Sequence, residues 1–192
     1  MFRYFFLRHI PSYEDGDFTW DLLDRAYNNE LADELGNAVQ RTVVMITKYE
    51  NGVIGEIPPP QHDSAQYREA MQLCRFDRAL DDVWEQVRGL NQYIDEEKPW
   101  TIAKTGDQEH LREVLAYQCS ALLQIADLLE PFMPDTAAKI QHIFAKLYDY
   151  TYLNKNKPVW NHGVSSQFIL PYKIRLNIDY WVSTKGTYQI YE

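Results

Sequence analysis

The chain has 192 residues, 45% hydrophobic and 24% charged, which suits a folded protein with a sizeable core. A net charge of −9 argues against a general nucleic-acid binder, which needs a basic surface. No apolar run approaches the roughly 18 residues that span a membrane, and the opening Met1-Phe-Arg-Tyr-Phe-Phe-Leu-Arg is too short and too charged for a signal peptide, so a cytoplasmic protein is expected.

Residues 1–10 read as a short amphipathic helix or helix end, closed by Pro11 and a polar turn from Ser12 to Asp17. Asp17 and Thr19 both suit an N-cap, and a long helix is predicted from there to about Glu50. Leu31, Leu35, Ala38, Thr42 and Ile46 recur on one face of it. Asn37 and Arg41, one turn apart, point away from that stripe beside Glu30 and Glu34. Asn51-Gly52 ends the helix, and Pro58-Pro59-Pro60 makes a stiff connection.

A second helix is predicted from about Ser64, with Leu73 on its apolar side. Phe76, Leu80, Val83, Trp84, Val87, Leu90 and Ile94 keep helical register up to Glu96, as one bent helix or as two. Lys98-Pro99 stops it, because proline disfavours helical geometry in the residue before it. The next helix covers about Asp107 to Glu130, with Leu111, Val114, Leu115, Leu122, Ile125 and Leu129 inward. Pro131 and Pro134 bracket a turn, Asp135 or Thr136 suits a cap, and Ile140, Ile143, Phe144 and Leu147 pack the last helix. The fold class is therefore all-α, a helical bundle. From Lys173 to Tyr180 apolar and polar residues alternate instead, and Ser183-Thr184-Lys185-Gly186 reads as the turn of a C-terminal β-hairpin appendage.

Charge follows the same division. Residues 151–192 hold five of the 19 basic and two of the 28 acidic residues, so residues 1–150 hold 14 and 26. The acidic body implies that any RNA site is local. The five histidines have no metal-ligand spacing, and no metal site is expected. Cys74 and Cys119 form no Cys-x-x-Cys motif and read as buried thiols. Trp20, Trp84 and the tyrosine-rich stretch 148–152 read as packing residues.

Asn37, Arg41, Pro99 and Trp100 are the candidate binding residues. An indole offers a stacking face, an asparagine amide both donates to and accepts from a base edge, and a guanidinium adds a charged fork. Taken singly, each has a plainer reading: a solvated helix face for Asn37 and Arg41, a core or interdomain residue for Trp100.

Four stretches set them in context: Phe2-Arg-Tyr-Phe-Phe-Leu-Arg8 with Asp15-Gly-Asp-Phe-Thr19; Asn29-Glu-Leu-Ala-Asp-Glu-Leu-Gly-Asn37, continuing to Arg41; Asn91-Gln-Tyr-Ile94 with Lys98-Pro-Trp100 and Ile102-Ala-Lys104; and Leu128-Leu-Glu-Pro-Phe-Met-Pro134. Over residues 2–148 the chain resembles the anticodon-binding helical domain of methionyl-tRNA synthetase, a class I aminoacyl-tRNA synthetase. The resemblance implies that Trp100 stacks on the first anticodon base, a cytosine. It implies that Asn37 and Arg41 bond polar groups of the anticodon bases and that Pro99 shapes the pocket. Gly36 and Ala38 would let another helix or the loop approach closely.

The implied partners are the tRNA for methionine, through its anticodon loop, and a catalytic domain that uses ATP. Neither a HIGH motif nor a KMSKS loop occurs here, so this chain alone is expected to be catalytically inactive and to hold no cofactor. The expected division is a connecting segment at 1–17, the anticodon-binding domain at 18–149 and an atypical tail at 150–192. Two other readings stand beside it: the anticodon domain of a leucyl, isoleucyl, valyl or cysteinyl enzyme, and a stand-alone helical protein-interaction module.

Overall fold

Two helices of 22 residues each, α5 (Phe76–Glu97) and α7 (Gln108–Leu129), lie at the centre and bury a stripe along most of their length. The remaining elements are α1 (Phe2–His9), α2 (Trp20–Ala26), a π-helical segment (Tyr27–Gly36), α3 (Asn37–Tyr49), α4 (Ala65–Gln72), α6 (Pro99–Thr105) and α8 (Pro134–Leu147). The computed structural model describes residues 1–11, 13, 15–59 and 64–147, all within one unit, Met1–Lys157. The expected hairpin after Lys173 and the tyrosines of 148–152 lie outside the described residues. Each of these elements is helical, and none is long and apolar enough to cross a membrane.

The core follows the apolar register of the sequence. Leu80, Val83, Trp84, Val87, Leu90 and Ile94 of α5 are buried against Leu111, Leu115, Leu122, Ile125 and Leu129 of α7, and α8 closes the far side with Ala137, Ile140 and Phe144. Burying a side chain of this size contributes about 1.5–3 kcal/mol, before the entropy of ordering it. Between α4 and α5 the chain turns at Cys74, whose φ of 54° breaks the helix, so residues 64–96 form two helices. That turn exposes Leu73, which was expected to face the core, and Tyr67 and Ala70 supply the apolar side of α4 instead. It also exposes Cys74; of the two cysteines only Cys119 is buried, and burial pushes its thiol pKa up.

Capping matches the sequence in part. Thr19 Oγ1 accepts from the Leu22 N–H at 3.2 Å, which makes Thr19 the cap of α2. Asn51 (φ 54°) and Gly52 (φ 75°) end α3, and the Gly52 N–H returns to the Ile46 carbonyl at 3.1 Å. Helix α8 begins at Pro134, so Asp135 and Thr136 lie inside its first turn rather than at its cap.

The departure with the largest consequence is the π-helical segment. The backbone runs without a break from Trp20 to Tyr49, but between Tyr27 and Gly36 it is wound more widely, with i→i+5 pairing. Ala26 and Leu35 are both buried although nine residues apart. At 100° per residue they would fall about 180° from each other; with the wider turns both are buried, Leu35 in the main core and Ala26 against Phe5 and Leu23. The same winding turns Glu30 towards α1 instead of leaving it beside Asn37 on an outer face. There Glu30 accepts from the hydroxyl of Tyr4, lies 3.4 Å from Arg8 Nε and meets His9 Nε2 at 3.3 Å.

Candidate nucleic-acid interface

The interface is built where α5 ends. Its last turn gives way at Lys98, a single residue at φ 48° that is both the C-cap of α5 and the N-cap of α6. The Lys98 carbonyl accepts from the N–H of Thr101 at 2.7 Å, starting the new helix at once. Pro99 occupies the first position of α6, where a missing N–H costs nothing, and its ring is buried. Pro99 therefore fixes the backbone from behind, while Trp100, next along, is partly buried against the core and partly open. The sequence marked the end of α5 at this point but not the seven-residue helix that follows.

Helix α3 supplies the other side. Thr42, facing inward, donates to Gln118 Oε1 of α7 at 3.1 Å in the buried interior, which fixes the rotation of α3. With that face inward, Asn37 is exposed and Arg41 points to α5 and α6. The Arg41 guanidinium carbon lies 5.7 Å from the centroid of the Trp100 ring, and its Nη2 is 2.5 Å from Asp95 Oδ1. The structure thus brings together Arg41 and Trp100 from helices far apart in sequence. Asn37 stands one turn before Arg41 on the same helix, and the buried Pro99 precedes Trp100 at the first position of α6.

This arrangement can hold an unstacked base in two ways. A base can join the cation–π pair of Arg41 and Trp100, or displace the guanidinium and take the indole face. In either case the exposed amide of Asn37 is within one turn to bond a base edge. The surroundings are acidic, with Asp95, Glu96 and Glu97 on the last turn of α5 and only Lys98 and Lys104 nearby in sequence as counterweights. A bound phosphate chain would find little attraction from this surface alone.

Sequence reasoning missed Asp95, the partner of Arg41, and Asn91, which lies one turn before it on α5. The signal for Asn91 was present: it is a polar residue at the edge of a stripe whose neighbours Val87, Leu90 and Ile94 are all buried. Asp95 is an exposed carboxylate with no such mark.

Comparison with known proteins gives the family of the chain. Residues 1–43 match the family "tRNA synthetases class I (M)", and residues 44–164 match "Anticodon binding domain of methionyl tRNA ligase". The seam between the two matches falls inside α3, so Asn37 and Arg41 lie in the first and Pro99 and Trp100 in the second. The methionine–tRNA ligase of Streptococcus pyogenes is 37% identical over 151 residues, covering 72% of this chain and 23% of that protein. The ligase of Fusobacterium nucleatum is 37% identical over 153 residues, covering 73% and 24%. The crystal structure of free Mycobacterium tuberculosis methionyl-tRNA synthetase aligns with a TM-score of 0.64 at 28% identity, over 76% of this chain and 34% of that one. The chain spans about a quarter of the length of the curated relatives it matches. By fold, by sequence and by family match, it belongs to the anticodon-binding domain family of methionyl-tRNA synthetases.

Proposed function

We propose that this chain reads the anticodon of the tRNA for methionine, using Trp100 as a stacking face, Asn37 and Arg41 as hydrogen-bonding groups and Pro99 as the fixed support beneath. The observation that carries the reading is the placement of Arg41 over Trp100, which joins residues from opposite sides of the family seam in one surface. A loop base that stacks here and bonds Asn37 is held by groups that a wrong base would leave unpaired, and unpaired polar groups are what discrimination is made of. Catalysis and the use of ATP belong to a catalytic domain, with this chain contributing specificity.

The test is binding of the 192-residue chain to a methionine anticodon stem-loop at low salt, beside a loop with the first anticodon base changed. Preference for the cytosine-bearing loop, lost in Trp100→Ala, is the expected result. Equal affinity of the folded chain for both loops would overturn the reading.

A second contact, with the catalytic domain, is favoured by an exposed aromatic patch. Phe2, Phe6, Phe18 and Trp20 touch one another, with Phe6 and Phe18 stacked at 5.6 Å, yet Trp20 is 66% exposed. Trp20, read from the sequence as a packing residue, packs on Phe2 and Phe18 but stays at the surface. The patch lies wholly within residues matched by the class I family. Soluble proteins seldom leave a continuous apolar patch uncovered. Trp20 fluorescence should shift to shorter wavelength when a catalytic domain is added, and no shift at saturating concentration would remove this role.

A further inference from the structure

Asn37 belongs to the anticodon-reading surface, but its own backbone is held from elsewhere. The Asn37 N–H bonds the carbonyl of Glu34, a three-residue closure at the place where π winding returns to α winding. Such a junction departs from the regular ladder of either winding. Here that carbonyl has a second donor: Asn91 Nδ2 of α5, at 3.1 Å. The other proton of the same amide goes to the Val87 carbonyl one turn back on α5, at 3.2 Å. Both protons of the amide are committed to carbonyls, and its Oδ1 is buried with no hydrogen-bond partner among the described residues. Leaving a buried oxygen unbonded is unfavourable, so the side chain is held in this orientation by its donors.

The position of Asn91 gives this bond its consequence. Asn91 and Asp95 are one turn apart on α5; the first holds the carbonyl to which Asn37 is tied, and the second holds the guanidinium of Arg41. Three residues beyond Asp95 the helix ends at Lys98 and launches Pro99 and Trp100. One face of α5 therefore sets the place of all the candidate recognition residues.

Resting on the recognition reading above, we propose that Asn91 is a positioning residue for anticodon discrimination: by donating to the Glu34 carbonyl it fixes the π-to-α junction and hence the direction in which Asn37 is presented. It touches no RNA. Its effect is on Asn37, through one shared carbonyl.

Asn91→Asp tests this with little change of shape, since it replaces both N–H donors by an oxygen that repels the two carbonyls. Ile140→Ala in α8, remote from the interface, serves as a comparison for general loss of stability. In the full 192-residue chain, the ratio of affinities for the cytosine-bearing and base-changed loops should fall at least about 5-fold in Asn91→Asp. The Ile140→Ala protein, at a matched distance below its melting temperature, should keep the wild-type ratio. Hydrogen exchange at the Asn37 N–H should quicken in the first variant and not in the second. An unchanged ratio in Asn91→Asp, or an equal fall in both, would overturn the proposal. Should Asn91→Asp not fold, Asn91→Ala removes the donors without adding charge and carries the same comparison. If the wild-type chain itself shows no preference, the recognition reading fails and this inference with it, whereas preference that survives Asn91→Asp removes this inference alone.

Discussion

The chain sets an arginine between a tryptophan ring and an aspartate of α5 twice, and puts the arrangement to different use. In one, Arg8 lies 5.3 Å from the centroid of Trp84, 2.7 Å from Asp81 and 3.4 Å from Glu30. In the other, Arg41 lies 5.7 Å from the centroid of Trp100 and beside Asp95. Trp84 is fully buried and Trp100 is half open; the Arg8 side chain is 10% exposed and that of Arg41 24%. Burial decides what each trio does. Out of water, the charges of Arg8 and Glu30 must satisfy each other, and the cluster locks α1 to the bundle. At the surface, the pairing of Arg41 with Asp95 is weak enough to exchange for a ligand.

The sharpest way to break the comparison is to remove each arginine. Arg8→Ala leaves Glu30 half-buried without its cation and should lower stability by about 3 kcal/mol, read as a shift in the urea midpoint. Trp100→Ala should lower affinity for the cytosine-bearing loop by roughly 10- to 100-fold, in line with about 1–3 kcal/mol for a lost base stack, as measured by titration of a labelled stem-loop. Arg41→Ala should change stability by less than about 1 kcal/mol while lowering loop affinity about 10-fold. A stability loss for Arg41→Ala as large as that for Arg8→Ala would make the two trios equivalent and end the distinction.

The smallest effect is the dependence on pH. Burial would raise the Glu30 pKa, but the bonds from His9 and Tyr4 and the charge of Arg8 outweigh it and hold the carboxyl below its usual range. A carboxyl that binds its proton less tightly in the folded chain stabilises that chain above the unfolded value, roughly pH 4. The contribution disappears as pH falls through the lower folded value. Melting temperatures of Glu30→Gln should therefore decline less steeply below about pH 4 than those of the wild type, although they start lower at pH 7. Parallel curves would show that Glu30 is not the group being titrated.

What the residues revealed in advance was the part governed by periodicity. The buried positions of α5 and α7 follow a 3.6-residue repeat, and proline, glycine and threonine mark most of the ends. The exposure of Asn37 followed from the same repeat. The π winding did not, because a 3.6-residue repeat carries no mark of a wider turn. Without it, Glu30 reads as a surface charge when it is the hub of a partly buried cluster. Asp95 was equally hidden, since an acidic residue near a helix end looks the same whether it faces solvent or an arginine from 54 positions away. Trp20 was legible as a packing residue but not as an exposed one: it meets Phe2 and Phe18 on the surface.

The unbroken backbone from Trp20 to Tyr49 makes a single rod out of pieces assigned to two families. Its length is about 40 Å, so a tilt of roughly 5° at the Trp20 end carries the Tyr49 end through about 3 Å. Asn37 and Arg41 ride on that lever, between the aromatic patch at one end and the bundle at the other. On the recognition reading proposed above, covering the patch should be felt at Asn37 and Arg41, and binding of an anticodon loop should change the exposure of Trp20.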